Sequence, residues 1–280
     1  MAVSRGAWAP SPEPLPLPIV DNHCHLDFPL EGVPDRGVEE RLAAAAAVGV
    51  DRVVQIGCDP ESARWTADAV ARFPAMLGGV ALHPNDAARL AARGEYEDAF
   101  AEIAELSRGE RIRVIGETGL DYFRTGPEGR EAQIWAFRDH IALAKERGLA
   151  LQIHDRDAHA DVLAVLDRDG APERTVFHCF SGDADFAREC IGRGAYLSFA
   201  GTVTFANASA LREAVAATPL DRIVLETDAP FLTPHPHRGA ANAPEQVAAT
   251  AKAVATFLGV SLEALCAAVS ETSEALYGPW

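Results

Sequence analysis

A repeated alternation of short apolar runs with Ala-rich helical stretches constrains the fold of this 280-residue chain more than any other feature. Eight runs of apolar and β-branched residues end in polar residues, and they are 18–22, 52–56, 77–82, 112–116, 150–154, 175–178, 195–199 and 222–226. The helical stretches include 38–48, 61–72, 128–147, 184–192, 246–258 and 262–276. Strands that alternate with helices predict a parallel sheet covered by helices. Eight such repeats favour a closed (β/α)8 TIM barrel, a single α/β domain, over an open doubly wound sheet.

Composition and charge exclude several classes of protein. Of the residues, 48% are hydrophobic and 24% are charged, which is typical of a globular domain. No apolar run reaches the ~18 residues that a membrane span requires. The net charge of −16 argues against a protein that grips nucleic acid through a broad basic face. The five cysteines form no CxxC pair, so we expect a cytoplasmic protein without a disulfide scaffold. No feature indicates an obligate protein partner.

The first 17 residues differ from the rest of the chain in composition. Prolines occupy every second position from 10 to 18, and no apolar stretch typical of a signal peptide precedes them. This pattern predicts a disordered, solvated leader of polyproline II type over 1–17, followed by the barrel domain over 18–280. We expect the leader to be dispensable for any chemistry.

Histidines and carboxylates cluster at the ends of the apolar runs. The residues of interest at these ends are His23, His25, Glu117, His154, His178, Glu226 and Asp228. Because all strands of a barrel end at one face, these side chains should converge there. His23 and His25 are two positions apart, so on a strand they face the same side, ~7 Å apart along it. Neutral imidazole is a common metal ligand.

The convergence predicts a site for two divalent cations. His23, His25 and Asp228 would bind one cation, and His154 and His178 would bind the other. Glu117 would bridge them, since a carboxylate has two oxygens, and Asp228 would also accept a proton from the attacking water. The mixed ligand set suits Zn, Mn or Mg, and two histidines per ion favour Zn or Mn.

For several residues near the predicted ligands, the sequence leaves two interpretations open. Glu226 either orients Asp228 from behind or pairs with an arginine, and Asp121 either supports a ligand or caps the helix near Pro127. His83 ends the third run and either contacts substrate or fixes its loop. Arg124 and Arg238 follow the fourth and eighth runs, where each is a phosphate-binding or a surface arginine. The aromatic residues beside the motifs, which stack a base or pack in the core, are Tyr122, Phe180 and Phe231.

The motifs taken together resemble the TatD family of metal-dependent deoxyribonucleases, within the amidohydrolase superfamily. They are DNHCHLD (21–27), GETGLDY (116–122), HDRDA (154–158), HCFSG (178–182), ETDAPFLTP (226–234) and HRG…N (237–242). The resemblance implies a TIM barrel, divalent metals and hydrolysis of DNA phosphodiesters from the 3′ end. The family's metal positions fall here on the six predicted ligands. Two positions depart from the family pattern: Asn85 replaces a frequent histidine, and Ala243 replaces a frequent glutamate.

Two enzymatic functions are consistent with these observations. The first is a two-metal 3′–5′ exodeoxyribonuclease that takes the 3′ end of a single DNA strand into a narrow mouth, which agrees with the net negative charge. The alternative is a metal-dependent hydrolase of a small-molecule ester or amide on the same scaffold. A non-enzymatic binding barrel is disfavoured because all six ligands are present.

Overall fold

The apolar runs form one parallel sheet whose strands follow the order of the chain. A computed structural model describes residues 6–280. The strands are β1 Ile19–Cys24, β2 Val50–Gly57, β3 Met76–Val80, β4 Ile112–Asp121, β5 Ala150–Arg156, β6 Thr175–Phe177, β7 Tyr196–Phe199 and β8 Ile223–Leu225. Each strand pairs in parallel with the next, from β1 to β8. The predicted (β/α)8 TIM barrel is therefore confirmed.

Helices connect the strands and cover the outside of the sheet. They are α1 Val38–Ala47, α2 Pro60–Arg72, α3 Pro84–Arg93, α4 Tyr96–Leu106, α5 Pro127–Arg147, α6 His159–Asp169, α7 Ala184–Gly192, α8 Ser209–Ala217, α9 Val247–Leu258 and α10 Leu262–Tyr277. Local sequence explains their ends. For example, the Asp59 carboxylate accepts a hydrogen bond from the Ser62 amide ahead of α2, and Gly148 ends α5 in a left-handed conformation.

Hydrogen bonds between residues 22–25, at the end of β1, and residues 225–229, at the end of β8, close the barrel. The Asn22 side chain donates to the Leu225 carbonyl over 2.7 Å. The Asp228 amide donates to the His23 carbonyl over 2.9 Å, and the His25 amide donates to the Ala229 carbonyl over 2.7 Å. All eight carboxyl ends consequently surround one mouth.

Neighbouring residues on each strand contribute to two separate apolar clusters. Ile19 and Val53 belong to the larger cluster, which packs against the helices. Val20 and Val54 belong to a smaller one, which also contains Tyr277 from the end of α10. Because successive side chains of a strand point to opposite faces, the smaller cluster lies on the inner face of the barrel.

The amino-terminal segment packs on the barrel over the part that the structure describes, in contrast to the solvated leader expected over 1–17. The Ala9 amide donates to the Ala241 carbonyl over 3.0 Å, and the Leu15 amide donates to the Val48 carbonyl over 3.0 Å. Leu15 and Leu17 pack against the larger core cluster. Proline spacing indicated the absence of helix and strand, but not the tertiary contacts that hold an extended segment. Residues 1–5 of the predicted leader lie outside the described residues.

Within residues 6–280, no single helix is long and apolar enough to cross a membrane. Two consecutive helical segments, 244–258 and 262–277, are long and apolar enough only when they are taken together, and their axes are bent by 113° relative to each other.

Candidate metal centre

The structure brings all six predicted ligands together at the mouth of the barrel. Up to 205 residues separate them in sequence, the span from His23 to Asp228. The side chains of His23, Glu117 and His178 are almost completely buried, at 0, 6 and 4% exposure. Those of Asp228 and His154 are 15 and 17% exposed. A small ligand can therefore approach the cluster from the side of Asp228 and His154.

The Glu117 carboxylate faces a different histidine pair with each of its oxygens. Oε2 lies 3.7 Å from Nε2 of His23 and 3.9 Å from Nε2 of His25. Oε1 lies 2.5 Å from Nδ1 of His154 and 3.2 Å from Nε2 of His178. In both groups, the ligand atoms lie within 4.8 Å of one another, a spacing that suits one cation each. Near Glu117, the register between β4 and β5 shifts between Ile115 and Thr118, an irregularity that re-aims side chains.

Asp228, in the loop after β8, adds a second carboxylate to the first group, which consists of His23, His25 and Oε2 of Glu117. Its Oδ1 lies 3.4 Å from Nε2 of His25 and 3.8 Å from Nε2 of His23. The backbone of Asp228 has a φ of +54°, in the left-handed region that aspartate tolerates better than most residues. Thr227 anchors this turn by donating from its amide and hydroxyl to the buried Asp21 carboxylate, over 2.8 and 2.6 Å.

In His23 and His25, the hydrogen bond made by Nδ1, which points away from the cluster, determines whether Nε2, which points into it, carries a proton. Gln152 donates from Nε2 to the Asn22 carbonyl, so its Oε1, 2.7 Å from Nδ1 of His23, is the acceptor. Nδ1 of His25 donates to the Ile56 carbonyl over 2.9 Å. In neutral rings, both Nε2 atoms therefore carry lone pairs, and these atoms are 3.2 Å apart. Two converging lone pairs beside two carboxylates fit a cation.

The second group consists of His154, His178 and Oε1 of Glu117. Two further carboxylates, those of Glu226 and Asp121, lie beside its histidines. Nδ1 of His178 lies 2.9 Å from Oε1 of Glu226, which also accepts from the Cys179 amide. Glu226 therefore supports a ligand from behind, but this ligand is His178 and not Asp228 as expected.

Asp121 supports a ligand, since its Oδ2 lies 3.3 Å from Nε2 of His154. The capping interpretation is wrong: Gly126 precedes α5 without a side-chain cap, and Oδ1 of Asp121 accepts from the Arg124 amide within the loop over 2.8 Å.

Burial and charge shift the pKa values of the cluster in opposite directions. Burial lowers the pKa of His25, but the carboxylates of Asp228 and Glu117 outweigh it and raise the pKa to about 9. Burial is likewise outweighed at His154, where Asp121 and Glu117 raise the pKa to about 9. Burial and the neighbouring His178 hold the pKa of His23 well below its usual value. Burial also lowers the pKa of His178, but the carboxylates of Glu226 and Glu117 outweigh it and raise this pKa well above its usual value. In the absence of a cation, protons on His25, His154 and His178 supply positive charge beside the carboxylates.

His83 adds a hydrogen-bond donor to the second group. Its Nδ1 accepts from the Asn85 amide over 3.1 Å, and burial lowers its pKa to about 4, so the ring is neutral and Nε2 carries the proton. Nε2 lies 3.5 Å from Oε1 of Glu117. From this position, Nε2 of His83 can donate a hydrogen bond to a substrate bound beside Glu117. The position also satisfies the other interpretation of His83, because Nδ1 caps the start of α3.

The two predicted substrate arginines lie outside the ligand cluster. Arg124 is exposed in the loop after β4. Arg238 is exposed in the loop after β8, with its guanidinium 4.2 Å from the ring centre of Phe205. Phosphate contact by either arginine stays a prediction.

Sequence analysis missed the residues that hold the ligands in place. Gln152 and Asp21 are fully buried. Gln152 is hydrogen-bonded to the ligand His23, and Asp21 accepts from Thr227, which precedes the ligand Asp228. The available signal was a polar residue within an otherwise apolar strand. Cys58 was also missed: its thiol donates to Oε2 of Glu117 over 3.6 Å. A lone cysteine after a strand carries no such signal.

Comparisons with known proteins point to one family. The family model described as TatD related DNase matches residues 20–278. A Mycobacterium tuberculosis protein named uncharacterized metal-dependent hydrolase TatD is 41% identical over 269 residues, covering 93% of this chain and 98% of that protein. The Bacillus subtilis protein named uncharacterized metal-dependent hydrolase YabD is 37% identical, with coverage of 92% and 98%. The crystal structure of the TatD homologue YJJV from Escherichia coli superimposes with a TM-score of 0.85 at 26% identity, covering 94% and 98%.

Proposed function

The chain belongs to the TatD-related DNase family of metal-dependent hydrolases, and on that premise we propose that it hydrolyses DNA phosphodiester bonds, removing nucleotides from the 3′ end of a single strand with two divalent cations. The observation that carries the proposal is the division of the Glu117 carboxylate between two histidine pairs. A carboxylate that serves two donor groups at once is suited to two neighbouring cations.

The ligand chemistry narrows the choice of cation. Each group contributes two imidazole nitrogens together with carboxylate oxygens. Imidazole favours Zn or Mn over Mg, which prefers oxygen ligands. When bound, such a pair of cations lowers the pKa of water and neutralises the charge that develops on a phosphate.

The protein's own residues supply the remaining steps. Asp228, the more exposed carboxylate of the first group, is placed to orient the attacking water and accept its proton. His83 presents its Nε2 proton beside the second group, where it can donate to an oxygen of the phosphate. Glu117 holds the two groups at a fixed separation, and its burial excludes bulk water from that side.

Charge and thiol chemistry support a single-stranded substrate and a cytoplasmic location as parts of this proposal. With a net charge of −16, the chain repels a duplex along its length, whereas one strand end reaching the mouth meets the cations first. The five cysteines, none in a disulfide in residues 6–280, agree with a reducing, cytoplasmic location.

The test is hydrolysis of a 5′-labelled single-stranded DNA oligonucleotide by the metal-loaded protein. We expect products that shorten one nucleotide at a time from the 3′ end, and loss of activity with a chelator that returns when Zn or Mn is added. Glu117→Gln should abolish turnover, since an amide nitrogen cannot bind a cation, whereas the exposed Glu97→Gln should retain it.

Failure of this proposal has a clear signature. If the metal-loaded protein cleaves a small ester or amide but no oligonucleotide, the alternative hydrolase function replaces the nuclease. Full oligonucleotide hydrolysis by Glu117→Gln would contradict the two-metal arrangement.

A further inference from the structure

Two exposed phenylalanines form a pair at the rim of the metal centre. Phe28 lies three residues after His25, in the loop after β1, and Phe231 lies three residues after Asp228, in the loop after β8. Their side chains are 49 and 43% exposed, among the few large apolar residues on the surface of the described chain. The ring centres are 5.1 Å apart at an interplanar angle of 69°. Packing in the core does not explain these two rings.

The pair adjoins the first ligand group directly. The Phe231 ring centre lies 6.4 Å from that of His25, at an interplanar angle of 64°. Of the three aromatic residues considered from sequence, Phe180 is buried against Phe186, and the Tyr122 hydroxyl donates to Asp161. Phe231 is the one that leaves an apolar face open beside the ligands.

Both loops are held in place by polar contacts below the rings. In the first loop, the Leu26 amide donates to Gln55 over 2.6 Å, and the Asp27 carboxylate accepts from Gln55 over 2.7 Å. In the second, the Asn242 side chain donates to the carbonyls of Thr227 and Phe231 over 3.0 and 2.5 Å. A ring on an anchored loop loses little conformational entropy when a ligand stacks on it.

We propose that Phe28 and Phe231 form a stacking subsite that holds a nucleobase of the strand next to the phosphate being cleaved. This inference rests on the proposed function and specifies which part of the substrate contacts this rim. An aromatic face accepts any base, because every base has a π-face. The subsite therefore positions a strand end without selecting its sequence. The two phenylalanines are positioning residues and take no part in bond making.

The test compares an oligonucleotide that ends in normal nucleotides with one that lacks the bases of its last nucleotides but keeps the same phosphates. The wild-type metal-loaded protein should show a KM at least about fivefold higher for the base-free end, in keeping with the free energy of stacking one base. In the double variant with Phe28→Leu and Phe231→Leu, KM for the normal strand should rise by about as much, and the difference between the substrates should nearly vanish.

Two further variants separate stacking from simple apolar contact. Phe231→Trp keeps an aromatic face and should retain the discrimination between the two substrates, whereas Phe231→Leu should reduce it. Phe257→Leu is the matched control: this phenylalanine is 38% exposed, but it lies at the carboxyl end of α9, away from the mouth. It should behave as wild type. Unfolding midpoints of all variants show whether each is folded.

The outcomes distinguish this inference from the proposal beneath it. Hydrolysis of oligonucleotides with unchanged KM and unchanged discrimination in the double leucine variant would overturn the stacking subsite alone. Absence of oligonucleotide hydrolysis by the wild-type metal-loaded protein would overturn the nuclease function and the subsite together.

Discussion

At the scale of single residues, the orientation of each imidazole depends on a partner behind it. In each of three histidines, Nδ1 lies beside a fixed partner. The partner is Oε1 of Gln152 for His23, the Ile56 carbonyl for His25 and Oε1 of Glu226 for His178. These partners fix which ring nitrogen carries the proton, and hence where the lone pairs point. A ligand without such a partner would lose orientation even though it remained present.

Replacing Glu226 by glutamine tests this dependence. Glu226→Gln removes the negative charge beside Nδ1 of His178, so we expect metal affinity to fall roughly 10- to 100-fold. Equilibrium metal titration measures the effect. Glu189→Gln, at an exposed position of α7, is the control and should bind as wild type. Unchanged affinity in a folded Glu226→Gln protein would show that the carboxylate is merely structural.

The raised pKa values of three ligands, His25, His154 and His178, predict a pH dependence of metal binding. His25 and His154 have pKa values of about 9, so at neutral pH both carry protons that a cation must displace. Apparent metal affinity should therefore increase with pH up to about 9, and binding at pH 7 should release protons. Calorimetric titration in buffers with different ionisation enthalpies counts these protons. A pH-independent affinity between 6 and 9 would contradict the prediction.

At the scale of elements, the ligands gain their positions from strand ends and their closeness from the junction of β1 with β8. Two backbone hydrogen bonds join the residues His23–His25 to Asp228 and Ala229. The same junction brings Phe28 beside Phe231. Strand ends were visible in the sequence, whereas the pairing of the first strand with the last depends on closure of the sheet.

The amino-terminal segment makes a prediction at this scale. Deleting residues 1–17 removes the hydrogen bonds to Val48 and Ala241, and also those that Gln246 and Lys252 donate to the segment. At about 1 kcal/mol each, and allowing for the entropy of ordering the segment, we expect a loss of about 2–4 kcal/mol in the free energy of unfolding. Denaturant unfolding measures the change.

The activity of the truncated protein provides the control. Over its described residues 6–17, the segment contributes no member of the ligand groups, so activity per folded molecule should be retained, as the sequence also suggests. An unfolding midpoint equal to that of the full chain would show that the observed contacts contribute no net stability.

At the scale of the whole molecule, charge sets how a polyanionic substrate arrives. Even with two dications bound, a chain with a net charge of −16 remains strongly negative. Long-range repulsion then slows the approach of DNA, while attraction acts only near the mouth. This balance is the opposite of that in proteins that bind DNA through basic surfaces.

Salt should therefore accelerate the reaction at low ionic strength. Between about 10 mM and 150 mM salt, the screening length falls from roughly 30 Å to 8 Å. We expect kcat/KM for a single-stranded oligonucleotide to rise a few-fold over this range, measured at saturating metal concentration. Metal binding at both salt concentrations must be checked independently. A steep monotonic fall would indicate a basic binding surface that dominates over the net charge.

The sequence by itself determined the barrel and the identity of its candidate ligands. Apolar runs and helical stretches are local patterns, and the parallel arrangement places every strand end at one face. His23, Glu117 and Asp228 could be selected on that basis alone. The bounds of the six helices predicted from sequence, α1, α2, α5, α7, α9 and α10, were likewise accessible to within one residue, since caps and glycines act within a few residues.

Only the tertiary structure decided how these residues divide their roles. The split of the Glu117 oxygens, the support from Gln152, the packing of residues 8–17 and the Phe28–Phe231 pair all depend on contacts between distant segments. Such contacts arise from barrel closure and side-chain packing, which join residues 37 positions apart in Glu117 and His154 and 203 positions apart in Phe28 and Phe231. A local sequence pattern carries no record of them, because it reflects only the conformation of neighbouring residues.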